Sequence, residues 1–208
     1  MSSKSAIVNT LTFLRVPLVL AWLALAVVQE YRGGLMLGVW AILAMFLSGI
    51  SDLFDGMLAR KWNVVSTLGK MADPLMDKIF YVIAFPALVW QIAHQGESQA
   101  HGLLMLAFTI LYLARDMWVT FIRSVGAMYG ADVGAMRIGK VRTALSFPCA
   151  GWTYLYLAFH MAAPASWNRP WLASCFVFET FMIAITAVSL CTYTRAYSPY
   201  LKRALARK

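Results

Sequence analysis

Apolar residues dominate this chain in long unbroken stretches, and polar residues gather at the joints between them. Six stretches have the length of about 20 residues that a membrane-crossing helix needs. They run near 7–29, 34–59, 71–94, 102–128, 140–163 and 171–195. The joints carry helix-stopping chemistry: Gly33-Gly34 after the first, His94-Gln95-Gly96 after the third, and Pro164 to Pro170 after the fifth. No alternating strand pattern appears, which argues against a membrane barrel. The expected fold is an all-α polytopic membrane protein of six transmembrane helices. It forms one domain over 1–208, with no linker, internal repeat or low-complexity segment.

Composition strengthens this reading. Only 13% of residues are charged, against roughly 25% in an ordinary soluble domain. The net charge of +9 could suggest nucleic acid in a soluble chain, but here the basic residues fringe the helices and suit anionic lipid. Lys4, Arg60, Lys61, Lys70, Arg137, Lys140, Arg142, Arg195, Lys202, Arg203, Arg207 and Lys208 share one side of the six-span topology, while the other side holds Arg32 and Arg169. The first side is expected to be cytoplasmic, with both termini on it. Lys4, the following apolar run and Ala24-Leu25-Ala26 resemble a secretory signal. Arg15 would make its basic region unusually long, so the segment is read as a retained span.

Several residue types carry no special chemistry in this reading. Cys149, Cys175 and Cys191 match no zinc spacing and are expected to be buried thiols. Tyr31, Trp62, Trp167 and Trp171 sit near helix ends as interfacial anchors. His94 and His101 fall in the loop opposite the cytoplasmic side, and they and His160 are read as interfacial or structural. The basic tail at Lys202, Arg203, Arg207 and Lys208 is read as a lipid-facing end without a site role.

Four of the nine acidic residues stand out: Asp52, Asp55, Asp73 and Asp77. Charge beside a bilayer is costly and usually marks function. Asp52 and Asp55 are three apart, and Asp73 and Asp77 are four apart, so each pair shares a helix face. The short connection from Asn63 to Thr67 lets the third helix return beside the second. Four carboxylates converging on one pocket would repel each other. Two divalent ions would resolve this, and hard oxygen ligands favour Mg²⁺ or Mn²⁺. Gly56 and Ala59 lie on the same stripe and allow close approach of a ligand, while Arg60 offers a fork suited to phosphate oxygens. Metal, arginine and bare backbone together describe a diphosphate site. Buried ion bridges, such as Asp52 or Asp55 with Arg60, are the plainer alternative, but the local basic residues are too few for four acids.

These residues form the pattern D-x2-D-G-x2-A-R-x8-G-x3-D-x3-D, with Asp52, Asp55, Gly56, Ala59, Arg60, Gly69, Asp73 and Asp77 at its fixed positions. The chain thereby resembles the CDP-alcohol phosphotransferases. The run Asn9-Thr10-Leu11-Thr12-Phe13-Leu14-Arg15 is similar to the family's first-helix opening. Ala114-Arg115-Asp116 and Ile138-Gly139-Lys140-Val141-Arg142-Thr143 resemble segments of bacterial phosphatidylglycerophosphate synthases.

The resemblance implies transfer of a phosphatidyl group from CDP-diacylglycerol to an alcohol, with release of CMP. It implies six membrane helices and a homodimer. By the same analogy Asp52, Asp55, Asp73 and Asp77 hold two metal ions, and Asp77 is also the general base. The CDP donor would be contacted by Asn9, Thr12, Asp52, Gly56, Ala59, Arg60, Ser66 and Gly69. Arg115, Arg123, Lys140 and Arg142 form a basic set suited to an acceptor that carries a phosphate of its own, and glycerol 3-phosphate fits. Arg115 and Asp116 are adjacent on a helix and need not pair directly, although each could be bridged to another helix. Phosphatidylglycerol, giving cardiolipin, and inositol 1-phosphate are alternative acceptors within the family. A divalent-cation transporter is the alternative from another class, but it would favour acids near the midplane and leaves Arg60 without a purpose. A bacterial inner membrane is the simplest location, with the site open to the cytoplasm and no nucleic acid as partner.

Overall fold

The computed structural model describes residues 3–62, 64, 67–96, 98–131, 134–160 and 162–206, with side chains for all of these except 3–5, 52–53, 60, 67–74, 77 and 165. Helices dominate, and there is no strand among the described residues. In chain order they are α1 (Ser3–Arg32), α2 (Leu35–Trp62), α3 (Thr67–Gln95), α4 (Gln99–Met128), α5 (Arg137–Phe159) and α6 (Ala165–Ala206). Each expected span overlaps one of them. Among the described residues four segments are long and apolar enough to cross a membrane: Ala6–Arg32, Leu35–Ala59, Gln99–Met128 and Ser166–Ala206.

The ends follow local chemistry. Gly33, at φ +68°, takes up the left-handed conformation that closes α1, and its N–H bonds the Gln29 carbonyl at 2.8 Å. Gly96, at φ +69°, closes α3 in the same way onto Ile92. Ser98 caps α4, its hydroxyl accepting from the His101 N–H at 3.3 Å. That cap starts α4 at Gln99, so His101 lies inside a helix and not in the expected loop. It is buried, and its Nε2 sits 3.0 Å from Glu179 Oε1. His94 also lies inside a helix and not in the expected loop, in the last turn of α3, where it stacks on Trp90; His160 stacks on Tyr156.

Two further expectations are corrected. The joint from Pro164 to Pro170 is shorter than its prolines suggest, because α6 begins at Ala165. Pro170 therefore falls early in α6, where its fixed φ suits a helix and one backbone bond is given up. The resulting 42-residue helix is about 63 Å long at 1.5 Å per residue, roughly twice a bilayer's hydrocarbon thickness. Cys191 is exposed, whereas Cys149 and Cys175 are buried. Apolar neighbours in sequence do not imply burial on a lipid-facing helix, whose outer face is itself apolar.

The chain divides into two compact units. The first comprises Met1–Glu97 with Ala150–Leu172, the second Ser98–Cys149 with Ala173–Lys208. In the first, α1 packs against both α2 and α3. Trp22 is fully buried and meets Tyr154 edge-on at 5.3 Å. Two polar side chains in this apolar setting are tied together, which offsets the cost of burying them: Tyr154 donates to Gln29 at 3.2 Å, and Gln29 donates to the Ala158 carbonyl at 3.0 Å. Gly38 makes room for Gln29, since a Cβ there would come within 2.7 Å of its Nε2. In the second unit Phe108 and Tyr112 are fully buried, and Val119, Ile122, Tyr193 and Tyr197 form a core cluster.

Candidate functional site

The acid-bearing helices are α2 and α3, and α1 is the neighbour they share. Along α1, Asn9, Thr12 and Arg15 are buried at successive three-residue intervals, while Thr10, Phe13 and Leu14 are exposed. This spacing puts three polar side chains on the face turned into the protein. Asp55 is their counterpart on α2, and it is only 4% exposed. Its Oδ2 accepts from Thr12 Oγ1 at 2.7 Å and from Arg15 Nη2 at 3.3 Å. The Thr12 hydroxyl also lies 3.2 Å from the Val8 carbonyl. A hydroxyl has one proton to give, and the shorter distance to a charged acceptor marks Asp55 as its recipient.

Arg15 thus holds the motif acid Asp55, a contact that motif reading did not assign to it. Its signal was present, one turn after Thr12 and buried in an otherwise apolar helix. Asp55 forms an ion bridge with Arg15 on α1, whereas the bridge to Arg60 weighed for it lies outside the described residues. Gly56 and Ala59 are half-buried beside Asp55. Asp52, Arg60, Gly69, Asp73 and Asp77 occupy helical positions on α2 and α3. Their side-chain placement, and Ser66 altogether, lies outside the described residues. No group of three or more potential ligands gathers among the described residues, which do not include the side chains of three of the four motif acids.

The second unit holds the basic residues. Arg115, buried in α4, donates from Nη1 to Asp116 Oδ1 at 2.9 Å and from Nη2 to Ser189 Oγ at 2.6 Å. Its guanidinium also lies 4.8 Å from the Tyr193 ring centre. Arg142 on α5 donates from Nη2 to the same Oδ1 of Asp116 and stacks 3.9 Å from the Tyr112 ring centre. Arg115 and Asp116 therefore pair directly despite being adjacent. The arginine is long enough to turn back, and Arg142 draws the carboxylate to the same point. Gly139 is what lets α5 come this close: a Cβ there would meet Tyr193 Oη at 2.8 Å and Arg115 Nη2 at 3.3 Å. Tyr193 Oη in turn accepts the Met136 N–H at 2.8 Å, just before α5 begins. Of the other two basic candidates, Arg123 is half-buried and Lys140 exposed. Sequence brings Arg115 and Arg142 to mind as cations; Ser189, Tyr112 and Tyr193, which hold them, carry no motif.

Comparison with known proteins gives a family. The model of CDP-alcohol phosphatidyltransferase matches residues 6–191. A Treponema pallidum protein named CDP-diacylglycerol--glycerol-3-phosphate 3-phosphatidyltransferase is 26% identical over 94% of this chain and 91% of its own length. An Escherichia coli (strain K12) protein of the same name is 30% identical over 54% of this chain and 58% of its own. A Streptomyces coelicolor protein named cardiolipin synthase (CMP-forming) is 38% identical over 49% of this chain and 40% of its own. The treponemal match is nearly end to end, whereas the chain spans about half the length of the other two. The matched family is generally dependent on divalent metal. The all-oxygen donor set of the motif fits such an ion. Asp55, the motif acid whose side chain is described, has the hydrogen-bonded support that metal-binding carboxylates usually have.

Proposed function

This chain belongs to the CDP-alcohol phosphatidyltransferase family, and from that membership we propose that it is a phosphatidylglycerophosphate synthase. It transfers the phosphatidyl group of CDP-diacylglycerol to glycerol 3-phosphate and releases CMP. The observation that carries this reading is the near end-to-end match with the treponemal protein of that name. The proposed setting is a bacterial inner membrane, with six spans in one domain over 1–208, both termini and the site on the cytoplasmic side, and a homodimeric assembly.

In this proposal Asp52, Asp55, Asp73 and Asp77 hold two Mg²⁺ or Mn²⁺ ions. When bound, these ions supply charge stabilisation for phosphoryl oxygens and for the departing CMP. Asn9, Thr12, Gly56, Ala59, Arg60, Ser66 and Gly69, with Asp52, bind the CDP donor. Thr12 and Arg15 also fix the Asp55 carboxylate, which supports the donor end of the site. The acceptor hydroxyl forms a bond to the phosphatidyl phosphorus, and the bond from that phosphorus to the CMP oxygen breaks. Asp77 takes the hydroxyl proton. Arg115, Arg123, Lys140 and Arg142 bind the phosphate of glycerol 3-phosphate. The acyl chains of the donor remain in lipid throughout, which gives a reason for this chemistry to be built on membrane helices.

The Streptomyces match favours a second reading, with phosphatidylglycerol as acceptor and cardiolipin as product. One experiment separates the two. Detergent-purified protein with Mg²⁺ and CDP-diacylglycerol is offered glycerol 3-phosphate, inositol 1-phosphate or phosphatidylglycerol, and CMP release is followed. Release with glycerol 3-phosphate alone is the expected result. Release with phosphatidylglycerol alone supports the second reading, and no release with any acceptor favours cation transport.

A further inference from the structure

Two of the three arginines assigned to the acceptor, Arg115 and Arg142, meet at a residue that the assignment leaves unused. We infer that Asp116 is a positioning residue, which holds Arg115 and Arg142 in the geometry that receives the acceptor phosphate. This inference rests on the acceptor assignment above.

A single oxygen, Oδ1 of Asp116, accepts from both guanidiniums. Two arginines gathered at one point repel each other, and the carboxylate between them offsets that repulsion. One net positive charge remains for two cations and one anion. Each guanidinium is held by further contacts: Arg115 by Ser189 Oγ and the Tyr193 ring, Arg142 by the Tyr112 ring. Rotamer freedom that binding would otherwise have to remove is already gone. The donors are not all used. Arg142 Nε and Nη1 and Arg115 Nε are buried and make no hydrogen bond among the described residues. Buried donors without partners are costly in a structural ion bridge, but they are what a phosphate seat needs.

A purely structural bridge would affect stability and leave acceptor affinity alone, so the test reads ligand binding and kinetics separately. Thermal unfolding of the detergent-purified protein is measured with glycerol 3-phosphate and with inorganic phosphate, and KM is measured for each substrate. Both anions should raise the melting temperature of the wild-type protein. In Asp116→Ala the apparent affinity for glycerol 3-phosphate should fall about tenfold, the scale of one charge-assisted hydrogen bond. KM for CDP-diacylglycerol should stay within about twofold, a spread small on the same scale. Asp116→Asn, which keeps an acceptor oxygen, should recover part of the loss. If Asp116→Ala does not fold, Ser189→Ala removes a single bond to Arg115 and should raise acceptor KM by about threefold, a smaller fraction of the same scale. Unchanged acceptor KM in the folded variants, or equal rises in both KM values, overturns the inference, as does a wild-type protein that neither anion protects. Protection of the wild type without turnover of glycerol 3-phosphate defeats the acceptor assignment and leaves the anion seat standing.

Discussion

Each unit of the molecule pairs a carboxylate with arginine, and the two arrangements balance charge in opposite ways. In the first unit one arginine, Arg15, meets Asp55 on a helix that carries a second acid, Asp52, one turn away. In the second unit one carboxylate, Asp116, is shared by two arginines. The first locality is rich in acid and calls for added positive charge. The second is left with one net positive charge and calls for an anion. In the proposed reading the same type of bond serves opposite ligands, and the sign of the excess, more than the presence of an ion pair, points to what each locality would bind.

Removing the proposed base should have the largest effect on this contrast. Asp77→Asn is expected to reduce CMP release by about 10²–10⁴-fold, the usual contribution of a general base, while metal binding partly survives. A turnover assay alongside metal titration of the same preparation checks both parts. Full activity would remove Asp77 from the mechanism.

Next in size is the α1 clasp. Arg15→Met leaves Asp55 buried without its cation, and breaking one side of a buried pair costs about 3–5 kcal/mol. Thermal unfolding should show a marked drop, and turnover should fall with it. Thr12→Val takes away one hydrogen bond to the same oxygen, and its cost should be nearer 1.5–3 kcal/mol, roughly the range for bonds to charged groups. If Arg15→Met is as stable as the wild type, α1 does not fix Asp55.

How far each region was legible in the sequence follows the same division. The helices were readable because a membrane span declares itself by length and apolarity: a helix overlaps each expected stretch, and four segments among the described residues are long and apolar enough to cross a membrane. The motif around Asp55 was readable because its fixed gaps follow helical periodicity. Arg15 was missed because its partner lies 40 residues away on another helix, and only packing brings them together. The clasp around Asp116 was harder still. Ser189 and Tyr193 on α6 come into play through a contact with no spacing rule, and the adjacency of Arg115 and Asp116 argued against the pairing that exists. The early start of α6 was hidden by Pro164 and Pro170, which mark a joint in most sequences; here Pro164 stands just before the helix and Pro170 within its first turns.

Gly139 offers a finer probe of the second clasp, because it changes spacing and leaves charge untouched. A methyl group added there would meet the Tyr193 hydroxyl and the Arg115 guanidinium at 2.8 and 3.3 Å, so one or both must shift. Overpacking of this kind costs about 1–3 kcal/mol. Gly139→Ala should therefore be moderately destabilised and show a raised KM for glycerol 3-phosphate with little change for CDP-diacylglycerol. An equal loss for both substrates would mean that the crowding spreads beyond the arginine pair.

The smallest effect is expected where positive charge is present without a clasp. Arg195, Lys202 and Arg203 are exposed near the end of α6, and no acidic residue follows Glu179. Apart from the stacking of Arg203 on Tyr200 at 5.9 Å, these cations face outward and suit anionic headgroups generally. Charge alone would make them candidates equal to Arg115 and Arg142; among the described residues no acidic side chain fixes their direction. Lys202→Gln with Arg203→Gln should leave KM for glycerol 3-phosphate and turnover in detergent within about twofold, since surface substitutions of this kind usually shift free energies by no more than about 0.5 kcal/mol. A large rise in acceptor KM in that variant would mean that excess charge, and not a positioned guanidinium, recruits the acceptor. The contrast drawn between clasped and unclasped arginines would then fail.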